Sequence, residues 1–165
     1  MNMFGRILVP LDGSGLAEEA LSIAVQLAEK FNSDVILLRV LDIPMPDMPS
    51  PYPEERWTHE AMQYTYRQAQ IYLDEHMQGL VDKGIPTPIM LREESPAEEI
   101  LLVASTEKVD LIVMTSHGMG GASLWPAGSV AAKVMQMSPC PVLLVRKEMF
   151  QLDVSETILA GTELA

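Results

Sequence analysis

Five short apolar runs punctuate the chain, at residues 6–11 (RILVPL), 34–41 (DVILLRVL), 86–91 (PTPIML), 110–115 (DLIVMT) and 141–145 (PVLLV). Each is rich in Ile, Val or Leu and lacks a clean apolar–polar alternation, the pattern of strands buried on both faces of a parallel sheet. Pro86 and Pro88 remove backbone donors from the third run and place it at a sheet edge. Between the runs the apolar spacing changes to steps of three and four. Leu16, Ala20, Ile23 and Leu27 predict an amphipathic helix of about 17 residues. Met62, Tyr66, Ala69, Leu73, Met77 and Leu80 predict a longer second helix, ended by Gly84. Ser95-Pro96-Ala97-Glu98 reads as a capping box opening a third helix, which turns Ile100, Leu101 and Ala104 inward. A fourth starts near Gly128-Ser129 and runs through Val130, Val134 and Met137. Strands and helices thus alternate, and right-handed crossovers give a doubly wound, open α/β sheet of five mostly parallel strands with helices on both faces.

Two segments stand outside this alternation. Residues 43–58 begin with five prolines (Pro44, Pro46, Pro49, Pro51 and Pro53), which predicts an extended loop. It serves as a plain connector or, with Tyr52 and Trp57, as a flap over a ligand or partner. One domain covers residues 1–147, and the acidic, mixed tail at 148–165 is expected to fray.

Charge narrows the function. Eleven Lys and Arg against 23 Asp and Glu leave a net charge of −12. Phosphate-tracking nucleic-acid binders and binders of anionic membranes need cationic faces, so neither class fits. One small anionic ligand still fits, because backbone N–H groups hold an anion without lysines. The single cysteine, Cys140, excludes an intrachain disulfide and a multi-cysteine zinc site, and reads as a small buried residue before the last strand. No apolar run approaches the roughly 18 residues that span a bilayer. The opening MNMFGRILVPLDGSG has neither a charged lead nor a cleavage site, so a cytoplasmic protein without membrane insertion is expected.

Catalytic templates are missing. There is no G-x-x-x-x-G-K-[ST], no G-x-G-x-x-G after the first strand and no G-x-S-x-G elbow. His59, His76 and His117 are scattered. Asp12, Asp42 and His117 could meet at one end of the sheet, but no motif sets a serine nucleophile beside them. The expectation is a protein that is not an enzyme, with slow hydrolysis of a bound ligand left open. What remains is a glycine-rich turn, Ser116-His117-Gly118-Met119-Gly120-Gly121-Ala122-Ser123, followed by Gly128-Ser129. Such a turn lets backbone approach a ligand and aims helix N-terminal donors at one point, or else simply links a strand tightly to a helix. With strand order 3-2-1-4-5, the order reverses between strands one and four, and ligand crevices lie at such points. The loop after strand one carries Pro10, Leu11 and Asp12, the loop after strand four carries residues 114–118, and Val40 lies beside them. Asp12 suits a helix N-cap and a ligand contact equally.

These segments together resemble the universal stress protein family. ILVPLDGS, VILLRV, ESPAEEIL, DLIVMTSHG followed nine residues later by GSV, and SPCPVLLVRK carry the resemblance, from the start to about Lys147. It implies a stress-associated cytoplasmic protein, ATP bound through G-x2-G-x9-G-[ST], and homodimers joined by the last strand, here Pro141 to Val145. Gly118, Gly128 and Ser129 match that pattern, whereas Thr115 takes the place of its first glycine and Met119 replaces a basic residue. The resemblance implies nucleotide contacts at Pro10, Asp12, Val40, Met114, Gly118, Gly128, Ser129 and Val130; Leu11, Thr115 and His117 complete the candidate site. Val40 would meet adenine, the glycines and Ser129 would surround the phosphates, and Mg²⁺ would be held by phosphate oxygens and water. Two alternatives stay open: AMP or cyclic AMP in the same crevice, or a dimeric interaction module without nucleotide that meets a client protein through the proline loop or tail.

Overall fold

Nine elements follow one another: β1 (Arg6–Pro10), α1 (Gly15–Phe31), β2 (Asp34–Leu41), α2 (His59–Val81), β3 (Ile89–Glu93), α3 (Pro96–Thr106), β4 (Leu111–Thr115), α4 (Ser129–Met137) and β5 (Val142–Val145). The computed structural model describes residues 3–42, 59–116 and 128–146; the proline loop at 43–58, most of the glycine-rich turn and the tail at 148–165 lie outside them. The strands form one parallel sheet in the order β3-β2-β1-β4-β5, as expected.

The missing alternation in the apolar runs has a direct cause, since the central strands are covered on both sides. Ile7, Val9, Val35, Leu37 and Val113 face α1 and α2, where Ala20, Ala24 and Leu73 close over them. Leu8, Ile36, Leu38, Ile112 and Met114 face α3 and α4, against Ile100, Val103 and Val134. The buried stripe of α1 is Ala17, Ala20, Leu21, Ala24, Val25 and Ala28, with Leu16, Ile23 and Leu27 half-buried at its sides. Small alanines let α1 lie close to the sheet.

Two local expectations are corrected. The third strand begins at Ile89 rather than Pro86, yet the prolines still belong to the edge: Val35 N–H donates to Pro86 O at 2.9 Å and Leu37 N–H to Pro88 O at 3.0 Å. A proline accepts such bonds while its missing donor faces away from the neighbouring strand. The capping box on α3 does not form. Ser95 makes no side-chain cap bond, and its carbonyl instead accepts from Glu98 and Glu99 N–H at 3.0 Å each. Met137 points outward at the end of α4, 62% exposed, leaving Ala131 and Val134 as that helix's buried residues.

Before β5, Ser138 Oγ donates to Cys140 O at 2.6 Å and accepts from Cys140 N–H at 3.2 Å. Burial pushes the half-buried Cys140 thiol above its usual value. A raised thiol is a poor nucleophile, which accords with a packing role for Cys140.

Candidate functional site at the fork of the sheet

The two central strands stay together only briefly. β1 and β4 pair through Ile7 with Leu111 and Leu8 with Ile112, and then separate. Beyond that point β1 remains with β2 through Pro10 and Leu38, and Leu11 N–H still donates to Leu38 O at 2.8 Å. β4 remains with β5 through Thr115 and Val145, and Ser116 N–H donates to Val145 O at 3.0 Å. The sheet therefore forks at the carboxyl ends of its middle strands, where the strand order reverses.

Strand alternation decides which expected residues share a side of this fork. Met114 lies in the layer facing α3 and α4, and Val40 and Val130 pack half-buried against that layer. Pro10, two residues after Leu8, falls on the same side. Leu11 turns the other way and is buried in the α1–α2 layer. Thr115, half-buried, alternates to that layer as well.

The beginning of α4 closes back onto the end of β4. Gly128 N–H donates to the carbonyl of buried Ser116 at 2.7 Å, so Gly128, Ser129 and Val130 stand next to the β4 prong. Gly128 is the N-cap of α4 and has no side chain to satisfy the helix's first donors. His117 and Gly118 lie outside the described residues.

Across the fork, the turn after β1 is braced by Asp12. Its Oδ1 accepts from Ser14 N–H at 2.9 Å and from Ser14 Oγ at 2.6 Å. The N-cap of α1 is Ser14, whose Oγ accepts from Ala17 N–H at 3.3 Å. Asp12 thus supports the cap without being one. Between them Gly13 takes φ +83°, a left-handed conformation in which a side chain is strained.

The model of the universal stress protein family matches residues 3–146. The chain belongs to the universal stress protein family. Universal stress protein YxiE of Bacillus subtilis is 32% identical over 148 residues, covering 87% of this chain and all of the relative. A Thermus aquaticus member is 35% identical over 145 residues, with the same coverage. The solved structure of protein MJ0577, a universal stress protein of Methanocaldococcus jannaschii, superposes with a TM-score of 0.77 at 29% identity, covering 90% of this chain and 99% of its own.

In this universal stress protein, one polar residue near the fork was not anticipated. Arg39 sits in β2 on the α1–α2 side, and its Nη1 donates to Leu11 O at 3.2 Å. Burial lowers its pKa from the usual arginine value, while Asp12 and then Tyr72 act to raise it. The buried Arg39 Nε and Tyr72 Oη have no hydrogen-bond partner among the described residues. Burial, reinforced by Glu18, pushes the Tyr72 hydroxyl up to about 12. The only trace of this arrangement in the sequence is an arginine interrupting an otherwise apolar strand. Among the described residues, no helix is long and apolar enough to cross a membrane, and no group of three or more His, Cys, Asp or Glu is placed to hold a metal.

Proposed function

We propose that this universal stress protein is a regulatory, non-catalytic, cytoplasmic protein that binds ATP in the fork between β1 and β4. The observation that carries the reading is the two-pair β1–β4 ladder, with the glycine-capped start of α4 tied beside it. A fork of that kind leaves space between strand ends, and the first turn of a helix without a side-chain cap offers backbone donors to phosphate. Asp12 and Val40 would meet the ribose and adenine; Gly118, Gly128, Ser129 and Val130 would surround the phosphates. Pro10, Leu11, Met114, Thr115 and His117 would line the rest. Leu11 is buried and both its backbone groups are engaged, so its part would be to support the turn. Mg²⁺ would be held by phosphate oxygens and water.

Adenine monophosphates are the second reading. A universal stress protein solved in complex with cAMP has this fold, with a TM-score of 0.61 at 23% identity. Another, from Archaeoglobus fulgidus in complex with dAMP, has a TM-score of 0.60 at 18% identity. Thermal unfolding with ATP, AMP or cyclic AMP separates the cases. At a hundredfold excess over Kd, a ligand of the native state adds about 2.7 kcal/mol, a rise of roughly 5–10 °C for a domain of this size. The largest rise is expected with ATP. No rise with any of the three would leave the fork without a nucleotide role.

The same reading includes a homodimer through β5. Leu143 is 38% exposed on this edge strand, while Val142 and Leu144 pack against the α3–α4 layer. Pairing two edges about a two-fold axis would cover both and leave the proline loop or tail for a client. Sedimentation equilibrium is expected to give a dimer at micromolar concentration and a monomer for Leu143→Asp; a monomeric wild type would rule out this interface.

A further inference from the structure

We propose that Arg39 is a positioning residue of the nucleotide site: its guanidinium clamps the turn at residues 11–13 and so fixes the Asp12 carboxylate at the mouth of the fork. The inference rests on the ATP reading above and adds a determinant that lies outside the expected contacts.

Neighbouring residues of β2 hold both backbone groups of Leu11. Its N–H donates to Leu38 O at 2.8 Å, and its carbonyl accepts from Arg39 Nη1 at 3.2 Å. Gly13 rests against the same guanidinium. A Cβ built there would stand 2.9 Å from Arg39 Nη1, 3.3 Å from Nη2 and 3.4 Å from Cζ. One planar group therefore bonds the residue before Asp12 and lies against the residue after it. The Asp12 charge acts on that group, raising its pKa against the larger lowering by burial.

Packing does not account for an arginine here. Val35 and Leu37, the preceding residues on this side of β2, are fully buried in an apolar layer. Arg39 is half-buried. Its Nε is buried without a partner among the described residues, which is unfavourable, and an apolar side chain of similar length fills such a place at least as well. What an apolar residue would not supply is a rigid fork of donors facing the turn. Stability and ligand affinity should therefore respond to Arg39 in different ways.

The test compares wild type with Arg39→Met, Arg39→Lys and Gly13→Ala, using calorimetric titration with ATP and with AMP alongside urea unfolding. Arg39→Met is expected to weaken nucleotide binding about tenfold while its urea midpoint stays level or rises. Arg39→Lys should recover part of the affinity, because an ammonium still reaches the Leu11 carbonyl but lacks the planar fork. The affinity lost on Gly13→Ala should shrink in part in the Arg39→Met background, since the close approach to the guanidinium is relieved while the left-handed strain at residue 13 stays. Arg39→Met with wild-type affinity, or with losses strictly additive to those of Gly13→Ala, would overturn the positioning role and leave the ATP reading standing. A wild type that binds neither ATP nor AMP would overturn that reading and this inference with it.

Discussion

Leu8→Ala is expected to lower the unfolding free energy by about 3 kcal/mol. Leu8 is fully buried, pairs with Ile36 on one side and Ile112 on the other, and forms the last β1–β4 pair before the strands part. Its side chain belongs to the layer of Leu38, Ile100, Met114 and Val134. Truncation removes the transfer free energy of three carbons and leaves a cavity. Strands hydrogen-bonded on both sides of β1 keep that cavity from collapsing, which places the cost in the middle of the measured range. Urea unfolding should show the loss as a lower midpoint with an unchanged slope. A loss under about 1 kcal/mol would mean that this layer repacks freely.

Asp12→Ala is expected to reduce ATP affinity by about a hundredfold, close to 2.7 kcal/mol, and to remove about 1 kcal/mol of stability. The stability part comes from the two bonds Ser14 gives to Asp12 Oδ1. Asp12→Asn separates the two effects, because an amide oxygen still accepts from Ser14 while the charge is gone. It should unfold like wild type yet bind ATP more weakly. Titration calorimetry on both variants checks this, and an Asp12→Ala protein with undiminished affinity would remove Asp12 from the ligand site.

The architecture was legible because burial on both faces writes itself into composition. DVILLRVL and DLIVMT could be strands of a parallel sheet before any pairing was known, and the prolines at 86 and 88 marked the edge correctly. Helix faces were legible to within a flank: the alanines of α1, more than its leucines, carry the contact with the sheet. Local capping was harder to read. Asp12 and Ser14 are both good caps, and only backbone geometry gives the cap to Ser14 and the brace to Asp12. Ser95 has the sequence of a capping box, but its carbonyl takes the helix donors instead. Arg39 was invisible as a site residue for a different reason. Its partners Leu11 and Gly13 lie in another strand's turn, and nothing in DVILLRVL reveals which face of the sheet the arginine takes. Register alone brings them together.

The short β1–β4 ladder has a kinetic consequence. Arg6 N–H donates to Asp110 Oδ2 at 2.9 Å across 104 residues of chain, so joining the two halves of the sheet closes a very long loop. The β1–β2 side involves much nearer segments and can organise earlier, because closure entropy rises with loop length. The seam between the halves is thus expected to close late, and the fork to form only once it has closed. A ligand held there would meet the finished molecule alone. It should slow unfolding and leave the folding rate almost untouched, so occupancy would be felt as a longer native lifetime rather than faster maturation.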